Sequence, residues 1–207
     1  MDFGNYEGLK KPHAFVSADM ILYHRSDFTG DFLGDVEILV STRKIEPFKN
    51  YLSLTFGGYI DPTDNSPLHT AIRETQEESG IQLRDIYDEF TLLGSFGPAR
   101  MHQRIKLNTT SSLSYLTITE NTKISGNPRP CVTFVFAHEC KTKLKGSESD
   151  EATSIQWMTL KEIIEKYGNT IAFDHAAFLN LFINRLRSLD GEKNMKQTAT
   201  YIHYSEP

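Results

Sequence analysis

The stretch GGYIDPTDNSPLHTAIRETQEESGI, residues 57–81, decides how this chain is read. Its second half predicts a helix over 67–79. Ser66 can cap the N-terminus, Pro67 suits the first helical position, and Gly80 suits the left-handed residue that closes a helix. Within that helix Glu74 lies three residues before Glu77 and four before Glu78, so the three carboxylates share one face. Like charges at these spacings destabilise a helix by roughly 0.2–0.5 kcal/mol per pair. Glu77 and Glu78 also occupy the last turn, where the helix dipole disfavours anions by about 0.3–1 kcal/mol. Both effects point the same way, and a divalent cation would reverse both. A solvated acidic face is the other reading of the same spacing.

Outward from this helix the chain alternates between strand and helix patterns. AFVSADMILY (14–23) and VEILVSTRK (36–44) read as strands joined by a turn-rich link, which suggests a hairpin with a long loop. EFTLLGSFG (89–97), CVTFVFAHEC (131–140) and SIQWMTL (154–160) are further strands, and the last runs into the helical segment KEIIEKYG. FDHAAFLNLFINRLRSL (173–189) is an amphipathic helix with Phe178, Leu179, Phe182, Ile183 and Leu186 at helical spacing and Asp174 as its cap. Residues 98–130, rich in Thr, Ser, Asn and Pro, read as an elaborated loop or hairpin, a lid or a dimer contact. Interleaved strands and helices set the class as α/β or α+β. No internal repeat or linker divides the chain, so one domain over 1–189 is expected, followed by a polar tail over 190–207.

Composition narrows the function. The 207 residues are 39% hydrophobic and 24% charged, with 13 Phe and 9 Tyr, enough to bury a sizeable core. A net charge of -5 argues against nucleic acid or a membrane surface as partner. Cys131 and Cys140 lack metal-ligand spacing and form no disulfide framework. The first 15 residues hold no apolar run of signal-peptide length, and no run reaches a membrane span. A cytoplasmic protein is the expectation.

Residues 57–81 resemble the Nudix box: glycine, five residues, Glu, seven residues, Arg-Glu, two residues, Glu-Glu, one residue, glycine and an apolar residue. Arg73, Glu74, Glu77, Glu78, Gly80 and Ile81 match in register. The first half departs, because Gly58 lies one residue too far from Arg73. The first glutamate of the pattern falls on Asn65, or on Asp64 if the extra residue lies later. The resemblance implies a Nudix-type α/β/α sandwich with a mixed sheet between helices. It implies that Glu74, Glu77 and Glu78, with the Gly58 carbonyl, hold Mg²⁺ or Mn²⁺, and that Arg73 orients a glutamate through an ion pair. Hard oxygen donors suit either ion.

Three further stretches resemble the ADP-ribose pyrophosphatase-like branch of the Nudix hydrolases. In EPFKNYLSLTFGG (46–58), Pro47, Phe48, Gly57 and Gly58 match, while the branch's tryptophan and proline are absent. SDEATSIQW (149–157) matches at Asp150, Glu151, Ala152 and Trp157, and IAFDHAAFLNLFINRLR (171–187) resembles the close of the same proteins. The likeness runs from about Lys11 to Ser188 and implies a hydrolase of a nucleoside diphosphate linked to another group. ADP-ribose, cut to AMP and ribose 5-phosphate, is the first expectation. NADH, a nucleotide sugar, a dinucleoside polyphosphate or a nucleoside triphosphate are alternatives, and a non-catalytic ADP-ribose or NAD-metabolite sensor is a third reading. Phe48, Arg100, Asp150 and Glu151 are candidate substrate contacts, with Asp150 and Glu151 also candidates for metal or base. His175 is expected to be satisfied by backbone at the start of its helix, and Trp157 to belong to the core. A homodimer is an assembly the resemblance admits.

Overall fold

The computed structural model describes residues 15–26, 31–83, 89–96, 101–109, 114–123 and 131–189. A long strand, β1 (Phe15–Arg25), organises the rest. Short helix α1 (Phe32–Asp35) leads into β2 (Val36–Arg43), then β3 (Leu52–Ser53), β4 (Phe56–Tyr59) and helix α2 (Pro67–Ser79). Strands β5 (Phe90–Phe96), β6 (Met101–Thr109), β7 (Ser114–Lys123), β8 (Cys131–Glu139) and β9 (Ala152–Thr159) follow, then helices α3 (Leu160–Tyr167) and α4 (His175–Leu189).

The main sheet runs β3-β2-β1-β8-β5, with β9 added to β2 and β4 to β1. β1 and β8 are parallel over Phe15–Tyr23, whereas the other pairings are antiparallel, so the sheet is mixed as expected. β8 occupies one edge of β1 over that span. The other edge is divided: Ser17–Met20 pair with β4 and Tyr23–Arg25 pair with β2. That division places the Gly57–Gly58 backbone beside the first half of β1.

Alternation along the strands explains the layering. Ala18, Met20 and Leu22 face one side with Leu39, Phe56 and Phe136, and α2 packs there through Leu68, Ala71 and Ile72. Ile21, Tyr23, Ile38, Val40, Val135 and Ala137 face the other side, covered by α3 and α4. Trp157 packs against the α2-side core and donates to the Leu144 carbonyl at 2.8 Å.

Helix boundaries follow local chemistry. Ser66 caps α2 by accepting the His69 N–H at 3.1 Å. Gly80 closes it at φ 69, a conformation that favours glycine, with its N–H on the Gln76 carbonyl at 2.8 Å. A reciprocal capping box between Thr159 and Glu162 starts α3. The helix expected from 173 starts at His175 instead, because Phe173 takes the left-handed φ of 50. Within 98–130 the described backbone is a two-stranded antiparallel hairpin, β6–β7, lying alongside α3 and α4. The expected tail over 190–207 lies outside the described residues.

Two substitutions test this layering. Phe182→Ala empties a fully buried position on α4 and is expected to lower the unfolding free energy by about 3–5 kcal/mol. Ser66→Ala removes one cap bond and is expected to lower it by about 1 kcal/mol. Urea unfolding of both variants checks the ranking; equal losses would contradict the core assignment of α4.

Candidate functional site

A cavity of about 520 Å³ opens where β4, α2 and the head of α4 meet β1. Of the residues singled out from sequence, Gly58, Arg73, Glu74, Glu78 and Glu151 line it. Asp19, Thr55 and His175 line it too, none of them assigned a site role from sequence. Glu77, Asp150 and Phe48 stand outside that lining. The Glu77 side chain is 57% exposed and bonds to Arg73. The Phe48 ring packs edge-on to Phe173 at 4.8 Å and Tyr51 at 5.4 Å, so it backs a wall of which Phe173 is the face. Arg100 lies outside the described residues.

The loop before α2 is anchored by Asp64, one of the two positions left open for the missing glutamate. Its side chain is 1% exposed and accepts from Asp61 N–H at 2.9 Å and Thr70 Oγ1 at 2.8 Å. It also takes two bonds from Arg73, from Nε at 3.2 Å and Nη2 at 2.9 Å. Arg73 Nη1 then reaches Glu74 at 2.8 Å and Glu77 at 3.0 Å, and Nη2 reaches the Tyr59 carbonyl at 3.3 Å. These bonds use all five N–H donors of a guanidinium. Arg73 is thus ion-paired to both glutamates and has no donor left over for a substrate.

Two glycines allow β4 to pass between carboxylates. A Cβ on Gly58 would stand 2.5 Å from the Glu74 carboxyl carbon, and one on Gly57 would stand 2.5 Å from the Ala18 carbonyl and 2.6 Å from Asp19 Oδ1. The Gly57 N–H donates to Glu78 Oε2 at 3.2 Å. Burial, opposed by that bond, and then the charges of Asp19, Glu74 and Glu151 push the Glu78 carboxyl up to about 8. Burial likewise raises Glu74 against the pull of Arg73. The cavity is thus an anionic surface whose full ionisation is opposed by burial and by mutual repulsion.

Among the described residues no three acidic, His or Cys side chains converge closely enough to hold a metal ion. The donor set nevertheless fits a hard divalent cation: Glu74 and Glu78 face the cavity with Asp19 and Glu151, all oxygen ligands. Glu77 is one helical turn from Glu74, tethered to the same guanidinium.

Sequence reasoning missed Asp19, Thr55 and His175 as site residues. A signal for Asp19 was present: Ser17 and Asp19 are polar at alternate positions of a strand otherwise apolar from Phe15 to Tyr23, on the face that Ile21 and Tyr23 continue into the core. His175 does take a backbone bond, from Leu54 N–H at 3.3 Å, as expected, but it also faces the cavity.

The Asp64–Arg73 tie predicts a pH dependence. Arg73 holds the Asp64 carboxyl well below the usual carboxylate range. A depressed acid contributes stability that is complete above its unfolded value near about 3.9 and is lost as pH falls through the folded value. Asp64→Asn, which leaves Arg73 without its main partner, is expected to cost about 1–3 kcal/mol at pH 7. The gap from wild type should narrow below about pH 4. Thermal melts from pH 2 to 7 check this; a gap independent of pH would contradict the ion-pair account.

Comparison with known proteins places the chain. A family model for the NUDIX domain matches residues 28–181. Among solved structures, the NUDIX domain of Shewanella oneidensis NrtR complexed with ADP ribose is 17% identical, with a TM-score of 0.60 over 88% of this chain and 94% of that one. A MutT/nudix family protein from Enterococcus faecalis is 19% identical, with a TM-score of 0.59 over 96% of this chain and 69% of that one. A bifunctional NMN adenylyltransferase/ADP ribose pyrophosphatase from Francisella tularensis is 16% identical, with a TM-score of 0.53 over 85% of this chain and 42% of that one. At these identities the structures show a shared fold. A comparison with curated proteins finds no match. The family match covers most of the chain and includes the motif, α2 and strands β2 to β9, and on that ground the chain belongs to the NUDIX domain family, a family of pyrophosphohydrolases acting on phosphorus anhydrides.

Proposed function

We propose that the chain is a Mg²⁺- or Mn²⁺-dependent hydrolase of a nucleoside diphosphate linked to another group, with ADP-ribose, cut to AMP and ribose 5-phosphate, as its substrate. The observation that carries this reading is the placing of Glu74 and Glu78 on the wall of one cavity beside the close-packed Gly57–Gly58 backbone. The sequence likeness over 46–58, 149–157 and 171–187 supports the substrate branch, as does the ADP ribose in the similar Shewanella oneidensis domain.

Glu74, Glu77 and Glu78, with the Gly58 carbonyl, would hold the cation, Glu77 joining by exchanging its Arg73 contact. When bound, such an ion neutralises the pyrophosphate and lowers the pKa of an attacking water. Arg73 fixes the first two glutamates and, through Asp64, the turn that joins β4 to their helix. Glu151, outside the motif but in the same cavity, is available to orient the water or accept its proton. The cavity volume lies within the range of small-molecule sites. Ile45, Pro47 and Phe173, with the Arg43 guanidinium 4.8 Å over the Phe173 ring, supply an apolar wall for the less charged part of the substrate.

Incubation with Mg²⁺ and a panel of ADP-ribose, NADH, a nucleotide sugar, a dinucleoside polyphosphate and a nucleoside triphosphate, with products weighed by mass spectrometry, tests the substrate. AMP and ribose 5-phosphate from ADP-ribose are expected; pyrophosphate release from triphosphates would replace this assignment. Chelation should abolish turnover and added Mg²⁺ or Mn²⁺ restore it. Glu78→Gln is expected to lower kcat by at least about 100-fold, the scale on which a positioned electrostatic group contributes. Unchanged turnover in Glu77→Gln and Glu78→Gln would refute the cation assignment.

A further inference from the structure

One wall of the cavity comes from neither the motif nor its helix. Asp19 on β1, Thr55 just before β4 and His175 at the head of α4 form a hydrogen-bonded chain there. The Leu54 N–H donates to His175 Nδ1 at 3.3 Å. A ring nitrogen that accepts carries no proton, so the neutral imidazole has its proton on Nε2. Nε2 stands 3.2 Å from Thr55 Oγ1, and Thr55 Oγ1 donates to Asp19 Oδ1 at 2.7 Å. The direction of the chain is therefore set from one end: backbone to Nδ1, Nε2–H to the hydroxyl oxygen, hydroxyl hydrogen to the carboxylate.

Each link is held by packing. His175 and Thr55 are 4% and 3% exposed. The imidazole stacks on Phe178 with centroids 5.3 Å apart. Asp19 lies opposite Gly57 in the β1–β4 register, and Gly57 has room for no side chain beside Asp19 Oδ1. The same Gly57 bonds Glu78 through its N–H. Asp19 and Glu78 thus flank one glycine, arriving from strand and helix.

We propose that Thr55 and His175 are positioning residues that fix Asp19 as a further carboxylate of the cation-holding set, reaching the cavity from the α4 side of β1 beside the Gly57–Glu78 bond. This rests on the cation reading given above. A carboxylate beside like charges would rotate away from them; the hydroxyl bond prevents that. Thr55 can present its hydrogen to Asp19 because its oxygen takes the histidine's proton donor. The neutral Nε2–H tautomer, set by the backbone of Leu54, keeps the order from reversing.

Mn²⁺ titration of the full chain, with free ion counted by electron paramagnetic resonance and no substrate present, tests this directly. Thr55→Val, which keeps the shape and loses the hydroxyl, is expected to weaken Mn²⁺ binding about 10-fold or more, as loss of an outer-shell partner does. Asp19→Asn should weaken it at least as much, and Thr55→Ser should return it close to wild type. Nitrogen-15 resonances of the metal-free protein should show His175 as the Nε2–H tautomer, with its signals shifted in Thr55→Val. Circular dichroism identifies any variant that fails to fold, and Asp19→Asn, less buried than Thr55, then carries the test. Wild-type binding with Thr55→Val and Asp19→Asn unchanged would overturn this proposal and leave the hydrolase reading standing. Wild type without affinity for Mn²⁺ would overturn both, and an Nδ1–H tautomer would overturn the chain itself.

Discussion

Around the Arg73 guanidinium three pieces of chain are held at once. Asp64 brings the turn before α2, the Tyr59 carbonyl brings the end of β4, and Glu74 and Glu77 bring the helix face. A planar group with donors in fixed directions can make these contacts together, whereas an ammonium on a flexible stem has three donors and no fork. The consequence is a loop and helix that move as one unit. That unit is seated on the sheet by Leu68, Ala71 and Ile72, so the positions of the glutamates are inherited from the core on that face.

β4 depends on the same unit from the other side. It is four residues long, and two of them are glycines. Side chains at these places would meet Asp19 and Glu74, so β4 can lie between two carboxylates only as bare backbone. Larger residues would separate β1 from α2, and the cavity would lose the proximity that couples Glu78 to Asp19. Gly57 also supplies the N–H that opposes the effect of burial on Glu78.

Local features were readable because local spacing determines them. The bounds of α2, its serine cap and its glycine terminus follow from residues within one turn of each end. The order of strand and helix patterns set only the α/β or α+β class, and the mixed sheet between helices was implied by the resemblance to the Nudix box. Asp64 taking the role of the absent glutamate was one of two open positions, since either Asp64 or Asn65 sits in a turn that could reach the helix. Asp19, Thr55 and His175 are separated by 36 and 120 residues, and only the pairing of β1 with β4 and the docking of α4 bring them together. The head of α4 was misplaced for a related reason: the left-handed Phe173 is set among Phe48, His175 and the Arg43 guanidinium, contacts no helical periodicity encodes.

The site also sets its own demand on the fold. Six carboxylates, Asp19, Asp61, Glu74, Glu78, Glu151 and Asp174, share the cavity wall. Repulsion and burial together would be relieved if α2 lifted from β4 and let water in. Inside the cluster the bonds from Arg73 to the Tyr59 carbonyl at 3.3 Å and from the Gly57 N–H to Glu78 at 3.2 Å resist this, and a further restraint is needed. The restraint comes from outside it, from the apolar face of α2 on one side of the sheet and the α3–α4 layer on the other. Those layers fix β1, and β1 fixes Asp19 and the register of β4. The electrostatic disadvantage of gathering these carboxylates is therefore borne by packing some distance from them, in the layers on either side of the sheet.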